Sequence, residues 1–215
     1  MGYKKYVLTK ETIEHYGHKL YRIKAVKNFG DVKKDDLGGW AESEDNLAQK
    51  GNCWIYNNAK VFGNAKVYDN AKVYDNATVC CSAELRDNVI VRDNVMIYSN
   101  ACIWHNAEIY EHAEVWGNVV VRDNAKIHGY TKVYGKAYIC GFAKIGFDKD
   151  YAVYKNTWSS GDYITWTRSN NMWAVGCFCG TDEELIEKGY KESELSGKCY
   201  EAIVKVQEKI SKLIN

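Results

Sequence analysis

From Ile55 to Ile145 every sixth residue is a branched aliphatic: Ile55, Val61, Val67, Val73, Val79, Leu85, Val91, Ile97, Ile103, Ile109, Val115, Val121, Ile127, Val133, Ile139 and Ile145. Four residues behind each runs a second row of small or β-branched residues, from Ala59 through Ala143, without insertion or deletion. No other feature constrains the fold so tightly. A unit of six residues cannot bury its own apolar face, so the units must stack on one another. Take Val67-Tyr-Asp-Asn-Ala-Lys72 as an example. Val67 points inward, its neighbours point outward as the strand period of two requires, and Asp69-Asn70 turns the chain. Ala71 fits inside the corner. The residue before the small position is Asn at 58, 64, 70, 76, 88, 94, 100, 106, 118 and 124. Asn tolerates left-handed backbone, which assigns the corner conformation to these residues.

This pattern of aliphatic, any residue, Asp or Gly, Asn, small, any residue resembles the hexapeptide-repeat, left-handed parallel β-helix family, over roughly residues 37–146. The resemblance implies that three hexapeptides close each triangular coil. Residues 55–150 then make about five coils, roughly 26 Å tall at about 4.8 Å per coil. The left hand is implied by the family, since the usual crossover rule gives the opposite. Phe29-Gly-Asp-Val32, Leu37-Gly-Gly-Trp40 and Gly51-Asn-Cys-Trp-Ile55 further resemble a subgroup associated with phages and prophages. Its members carry transferase labels or no assigned function.

Three segments follow: an N-terminal cap hairpin over 1–36, the β-helix over 37–148, and a C-terminal α+β module of three strands and two helices over 149–215. Tyr3–Leu8 and Lys19–Phe29 read as strands joined around Gly17, covering the open end of the stack. His15 and His18 fall in or beside that turn as solvated loop residues. Gly38-Gly39 reads as a tight turn. Leu37 and Ala41 extend the aliphatic and small rows backward, Leu47 and Cys53 keep the small one, and Ser43 and Gln49 interrupt the aliphatic one.

Composition narrows the function classes. Lys and Arg total 29 against 28 Asp and Glu, so no strong field draws the chain to nucleic acid or anionic membrane. Proline is absent, where average usage of about 5% would give roughly ten. No segment approaches the ~20 apolar residues of a membrane helix, and 1–9 lacks the apolar run of a secretory signal. The eight cysteines show no paired spacing and read as reduced thiols in a cytoplasm. Cys177-x-Cys179 lacks the second half of a zinc site.

A period of three hexapeptides sorts the outward side chains onto three faces. The first carries Tyr56, Tyr74, Arg92, Tyr110 and His128. The second carries Phe62, Cys80, Tyr98, Trp116 and Tyr134, with Met96 beside them. The third carries Tyr68, Arg86, Trp104, Arg122 and Cys140, with Cys102, Val120 and Tyr138 beside them. The second face is apolar enough to require cover by another subunit or by the C-terminal part. Phe62, Met96, Tyr98, Trp116 and Tyr134 are therefore the expected interface of a homo-oligomer, a trimer by the family resemblance. The alternative is an aromatic ladder between coils.

Many members of the resembled family are acyltransferases using CoA, which implies a histidine base near a subunit boundary. His105, His112 and His128 are the candidates. They lie on different rows, so they do not form the three-histidine zinc site of a carbonic anhydrase. Against an enzyme, the coils contain no inserted loop to wall a site. Arg86 and Arg122, with Trp104 between them, suit an anionic or aromatic ligand, or else a stacked surface.

Beyond Gly146, strands are expected at Tyr151–Trp158, Tyr163–Arg168 and Met172–Phe178. A helix starts after Thr181 with acidic residues at its positive end and Leu185, Ile186 and Tyr190 buried. A second starts near Ser196, burying Tyr200, Ile203, Val204, Ile210 and Leu213. Val175-Gly-Cys-Phe-Cys-Gly-Thr181 resembles a small module of phage proteins, with Cys177 and Phe178 in its core. Trp158, Trp166, Arg168 and Trp173 concentrate here and suit a nucleotide-like ligand, a protein hot spot, or a sheet core. The leading expectation is a non-enzymatic binding protein of phage origin that captures a host protein or a small nucleotide-like ligand, with no metal or cofactor. The alternatives are a CoA-dependent acyltransferase and a purely structural scaffold.

Overall fold

A computed structural model describes residues 4–214. The chain is a parallel β-solenoid of six coils, preceded by a hairpin and followed by a four-stranded antiparallel sheet with two helices. Each coil contributes a short strand to each of three parallel sheets, and from Ile55 onward each strand pairs with the one 18 residues later, as in Val73 with Val91 and Ile97 with Val115. The aliphatic and small rows meet along the axis and are almost wholly buried.

The corners are built differently from the sequence expectation. The left-handed residue is not the Asn but the one before it: Asp69, Asp75, Asp87, Asp93 and Asp123 all have φ between 57° and 64°. Each coil's acidic corner side chain reaches along the stack. Asp75 accepts from the Asp93 amide at 3.1 Å, Asp93 from Glu111 at 2.8 Å, and Glu111 from Gly129 at 2.7 Å. The Asn side chains instead hydrogen-bond to one another, Nδ2 to Oδ1, in a ladder through Asn52, Asn70, Asn88, Asn106 and Asn124. Asp thus satisfies backbone donors that the corner would strand, and Asn, with a donor and an acceptor, propagates along identical neighbours.

The first coil also departs from the extrapolated rows. Ala41 pairs with Val61 and Leu47 with Val67, each 20 positions on, so both stand in the aliphatic column. Leu37 is 53% exposed. The two extra residues lie between Leu47 and Ile55, where Gln49 accepts from the Lys5 amide at 2.8 Å. Gly38 and Gly39 do not turn the chain; they sit in the strand Leu37–Ala41. A Cβ on Gly39 would lie 2.5 Å from the Ala59 carbonyl oxygen, so close packing under the next coil requires glycine there.

The hairpin strands run Tyr6–His15 and His18–Ala25, with Tyr16 and Gly17 both at positive φ. Tyr3, assigned to the first strand from sequence, lies outside the described residues. The second strand pairs with Leu37–Ala41 and so extends one sheet of the solenoid. His15 and His18 are not simply solvated: both rings pack on Phe62, at 5.6 and 4.8 Å, and His18 Nδ1 is 3.0 Å from Glu42.

The C-terminal sheet has four strands, not three: Tyr151–Lys155, Tyr163–Thr167, Met172–Val175 and Phe178–Gly180. Gly176, at φ 55°, splits the expected third strand, which leaves Cys177 exposed on the turn and Phe178 half-buried. Helix α1 (Asp182–Glu192) is capped by Thr181 and Glu184. Helix α2 (Glu194–Leu213) begins earlier than expected, with Ser193 as its cap. It buries Tyr200, Val204 and Gln207, while Ile210 and Leu213 are exposed, because the sheet and α1 cover only one narrow stripe. Tyr190 is likewise exposed. The helices cross closely at Gly189 and Gly197. Cys140 and Cys179 form a disulfide, which corrects the expectation that all eight cysteines are free thiols. Residues 39 positions apart carry no spacing signal; only docking of the module on the third face brings them together. No described helix is long and apolar enough to cross a membrane.

Candidate functional site

The third face gathers five chemistry-bearing side chains from three successive coils. The strand Cys102–Ile103 delivers Trp104 outward and His105 into the corner, at φ 58°. Asp123 occupies the same corner one coil later, and its Oδ1 lies 2.9 Å from His105 Nδ1. An ionised carboxylate only accepts, so Nδ1 carries the proton of a neutral ring and Nε2 is the basic nitrogen. Asp123 Oδ2 accepts from the Gly141 amide at 3.0 Å and lies 3.8 Å from the Arg122 guanidinium. Burial alone would raise the Asp123 carboxyl, but the Gly141 amide, His105 and Arg122 together hold it below the ordinary carboxylate range. This is the oriented-base arrangement of nucleophilic and acyl-transfer sites.

Beside it, the Arg86 guanidinium lies 3.9 Å from the centre of the Trp104 ring, and the His105 ring is near-parallel to the indole at 5.9 Å. Trp104 Nε1 is buried with no hydrogen-bond partner among the described residues. Arg122 donates to the Cys177 carbonyl at 3.4 Å, so the turn of the C-terminal module borders the face. The wall that the coils lack as an inserted loop is approached from outside the repeat. Asp123 was the missed member. Its signal was legible, because it stands one coil after His105 in the same column.

Because the folded carboxyl of Asp123 sits below its ordinary value of about 3.9, its network stabilises the fold above that pH and is lost as pH falls through the depressed value. Thermal melts of the wild type and Asp123→Asn should therefore differ at neutral pH and converge as the pH falls through the depressed carboxyl value.

The other histidines do not join this cluster. His112 stacks on Tyr130 at 4.5 Å, with no carboxylate hydrogen-bonded to its ring among the described residues. His128 stacks on Tyr110 at 5.2 Å, and its Nδ1 is 3.9 Å from Glu111, beyond hydrogen-bond range. It lines an apolar hollow of about 460 Å³ with Tyr130, Phe147 and Lys149.

In the C-terminal module Trp166, Arg168 and Trp173 do converge, in a groove of about 420 Å³ beside α2 that Asp182, Glu208 and Lys212 also line. The indole nitrogens are satisfied internally, Trp166 by Asn171 and Trp173 by Asp182. Trp158 lies apart, edge-on to Tyr200 at 5.5 Å. The groove mixes acids with bases, which weakens its match to an anionic ligand. Cys179 is in the disulfide, so Cys177-x-Cys179 offers no thiolate pair. Among the described residues no three His, Cys, Asp or Glu side chains group as metal ligands.

On the second face Tyr98, Trp116 and Tyr134 stack in parallel at 5.5 and 5.0 Å, with Met96 half-buried beside them. Phe62 does not belong to this exposed surface. The hairpin sheathes it to 4% exposure, in a cluster with Leu20 and Trp40.

Compared with known proteins, no family model matches the chain. A stretch of 38 residues, 18% of the chain, is 50% identical to a protein of Escherichia coli (strain K12) described as the uncharacterized acetyltransferase YdcK. That match spans 12% of the length of the relative. The uninterrupted repeat, the parallel solenoid and this local likeness together fit a hexapeptide-repeat family.

Proposed function

We propose that the chain is an acyltransferase drawing on a CoA thioester, with His105 as general base. The observation that carries this reading is the 2.9 Å contact between His105 Nδ1 and Asp123. It favours the acyltransferase alternative over the non-enzymatic expectation, which rested on the absence of an inserted loop in the coils. In the proposed reaction His105 Nε2 takes the proton of an acceptor hydroxyl or amine as that group attacks the thioester carbonyl. The carbon–sulfur bond breaks and the CoA thiol leaves. Asp123 holds the ring and stabilises the imidazolium that forms. Arg86 and Arg122 supply positive charge for the phosphates of the donor. The Tyr98–Trp116–Tyr134 face is the seam of a homotrimer in the cytoplasm. The local likeness to an acetyltransferase supports the reading.

The test is release of CoA thiol from acetyl-CoA against a panel of small amines and sugar hydroxyls. Turnover that disappears in His105→Asn supports the proposal; turnover unchanged in that variant, or absent with every acceptor, rejects it. Native mass spectrometry reads the assembly, and a monomer would sink the seam.

The groove supports a second reading, ligand capture by the module, since it gathers Trp166, Arg168 and Trp173. A small molecule retained through native mass spectrometry, and lost in Lys212→Glu, would favour capture. An empty groove in protein from its producing cell would count against it.

A further inference from the structure

Away from the third face, the second face carries two adjacent thiols. The strand Thr78–Val79 delivers Cys80 outward and places Cys81 in the corner at φ 59°. The Sγ atoms lie 3.9 Å apart. Every other residue in this corner column is small: Gly63, Ser99, Gly117 and Gly135. Gly63, on the preceding coil, presents no side chain over Cys81, and Cys81 is exposed while Cys80 is half-buried. Among the described residues no other cysteine contacts either sulfur.

We propose that Cys80 and Cys81 form a reversible dithiol–disulfide couple that exchanges with small disulfides. The Cys81 thiolate attacks one sulfur of the small disulfide. The old sulfur–sulfur bond breaks, one small thiol leaves, and Cys81 holds the other half as a mixed disulfide. Cys80 then loses its proton and attacks the Cys81 sulfur, expelling the second small thiol. Two protein thiols are oxidised and one small disulfide is reduced to two thiols. The order of attack follows from access. Burial, and next the charge that a neighbouring Cys81 thiolate would carry, push the Cys80 thiol up to about 12, so the exposed Cys81 attacks first. Once Cys81 is capped that charge is gone, and the adjacent Cys80 is the nearest nucleophile.

The geometry also makes the oxidised form labile. Neighbouring Cα atoms across a trans peptide are about 3.8 Å apart, below the roughly 4.4–6.8 Å usual for a disulfide, and a bond so placed is strained and readily reduced. The pair therefore acts as a couple, whereas the long-range Cys140–Cys179 bridge acts as a tether.

Cleavage after Lys72 and Arg86 isolates residues 73–86, which contain Cys80 and Cys81 and no other cysteine. The full chain, reduced and then exposed to oxidised glutathione, is treated with an alkylating agent and digested with trypsin without reductant. The expected peptide has lost two hydrogens, carries neither alkyl nor glutathionyl groups, and recovers both thiols with dithiothreitol. Cys80→Ser should stop at the mixed disulfide on Cys81, and Cys81→Ser should react at least about tenfold more slowly. A wild-type peptide that is doubly alkylated, or that keeps a glutathionyl group, overturns the couple. Equal rates in wild type and Cys81→Ser overturn the order of attack.

Discussion

His105→Asn is expected to lower acyl transfer by about 10²–10⁴-fold, the usual contribution of a positioned general base, while leaving the melting curve nearly unchanged. Asn suits the test because it tolerates the left-handed backbone found at 105. The His105 side chain is 50% exposed, so little packing is lost. A base that acts only in the transition state lowers kcat and kcat/KM together. Arg86→Ala should behave differently: if Arg86 holds the donor in ground and transition state alike, KM for acetyl-CoA rises and kcat stays. Asp123→Asn acts through the ring. It should lower kcat less than His105→Asn, and a merely structural role for Asp123 would instead show as instability without a kcat effect. Steady-state kinetics of the three variants separate base, donor contact and positioning residue.

Ile97→Ala should cost about 2–5 kcal/mol, the range for deleting a large aliphatic from a core that cannot collapse. Ile97 is fully buried and held between Val79 and Val115 in a continuous ladder. The strands above and below fix the backbone, so the cavity stays open. Leu37→Ala provides the contrast, because the six-residue row places both residues in one column. Leu37 is 53% exposed, and surface substitutions lie within about ±0.5 kcal/mol. Urea titrations read the difference as a shift in midpoint at constant slope. Equal losses in the two variants would mean that Leu37 keeps the register of the later coils after all.

The two predictions mark where reading from sequence worked and where it stopped. The solenoid was legible because its cause is local and repeated: an aliphatic every sixth residue, a small residue four behind it, and a corner between them. The three faces followed by arithmetic, and with them the rows holding Trp104, Trp116 and Tyr134. Extrapolation failed where the period did. Two extra residues before Ile55 moved Ala41 and Leu47 into the aliphatic column. The corner roles of Asp and Asn were exchanged because both tolerate left-handed backbone. What separates them is whether the neighbouring coil offers a backbone amide or another amide side chain.

The periodic sequence by itself thus determined the stacking, the inward rows and the alignment of side chains along each face, since a repeat must place equal residues in equal surroundings. Tertiary structure alone decided the rest. The His105–Asp123 contact needs two coils in register. The Cys140–Cys179 bridge and the Arg122–Cys177 contact need the module docked on the third face. The burial of Phe62 needs the hairpin folded over the second. These pairings join residues whose separation carries no local signal, and they exist only once the chain has closed around its core.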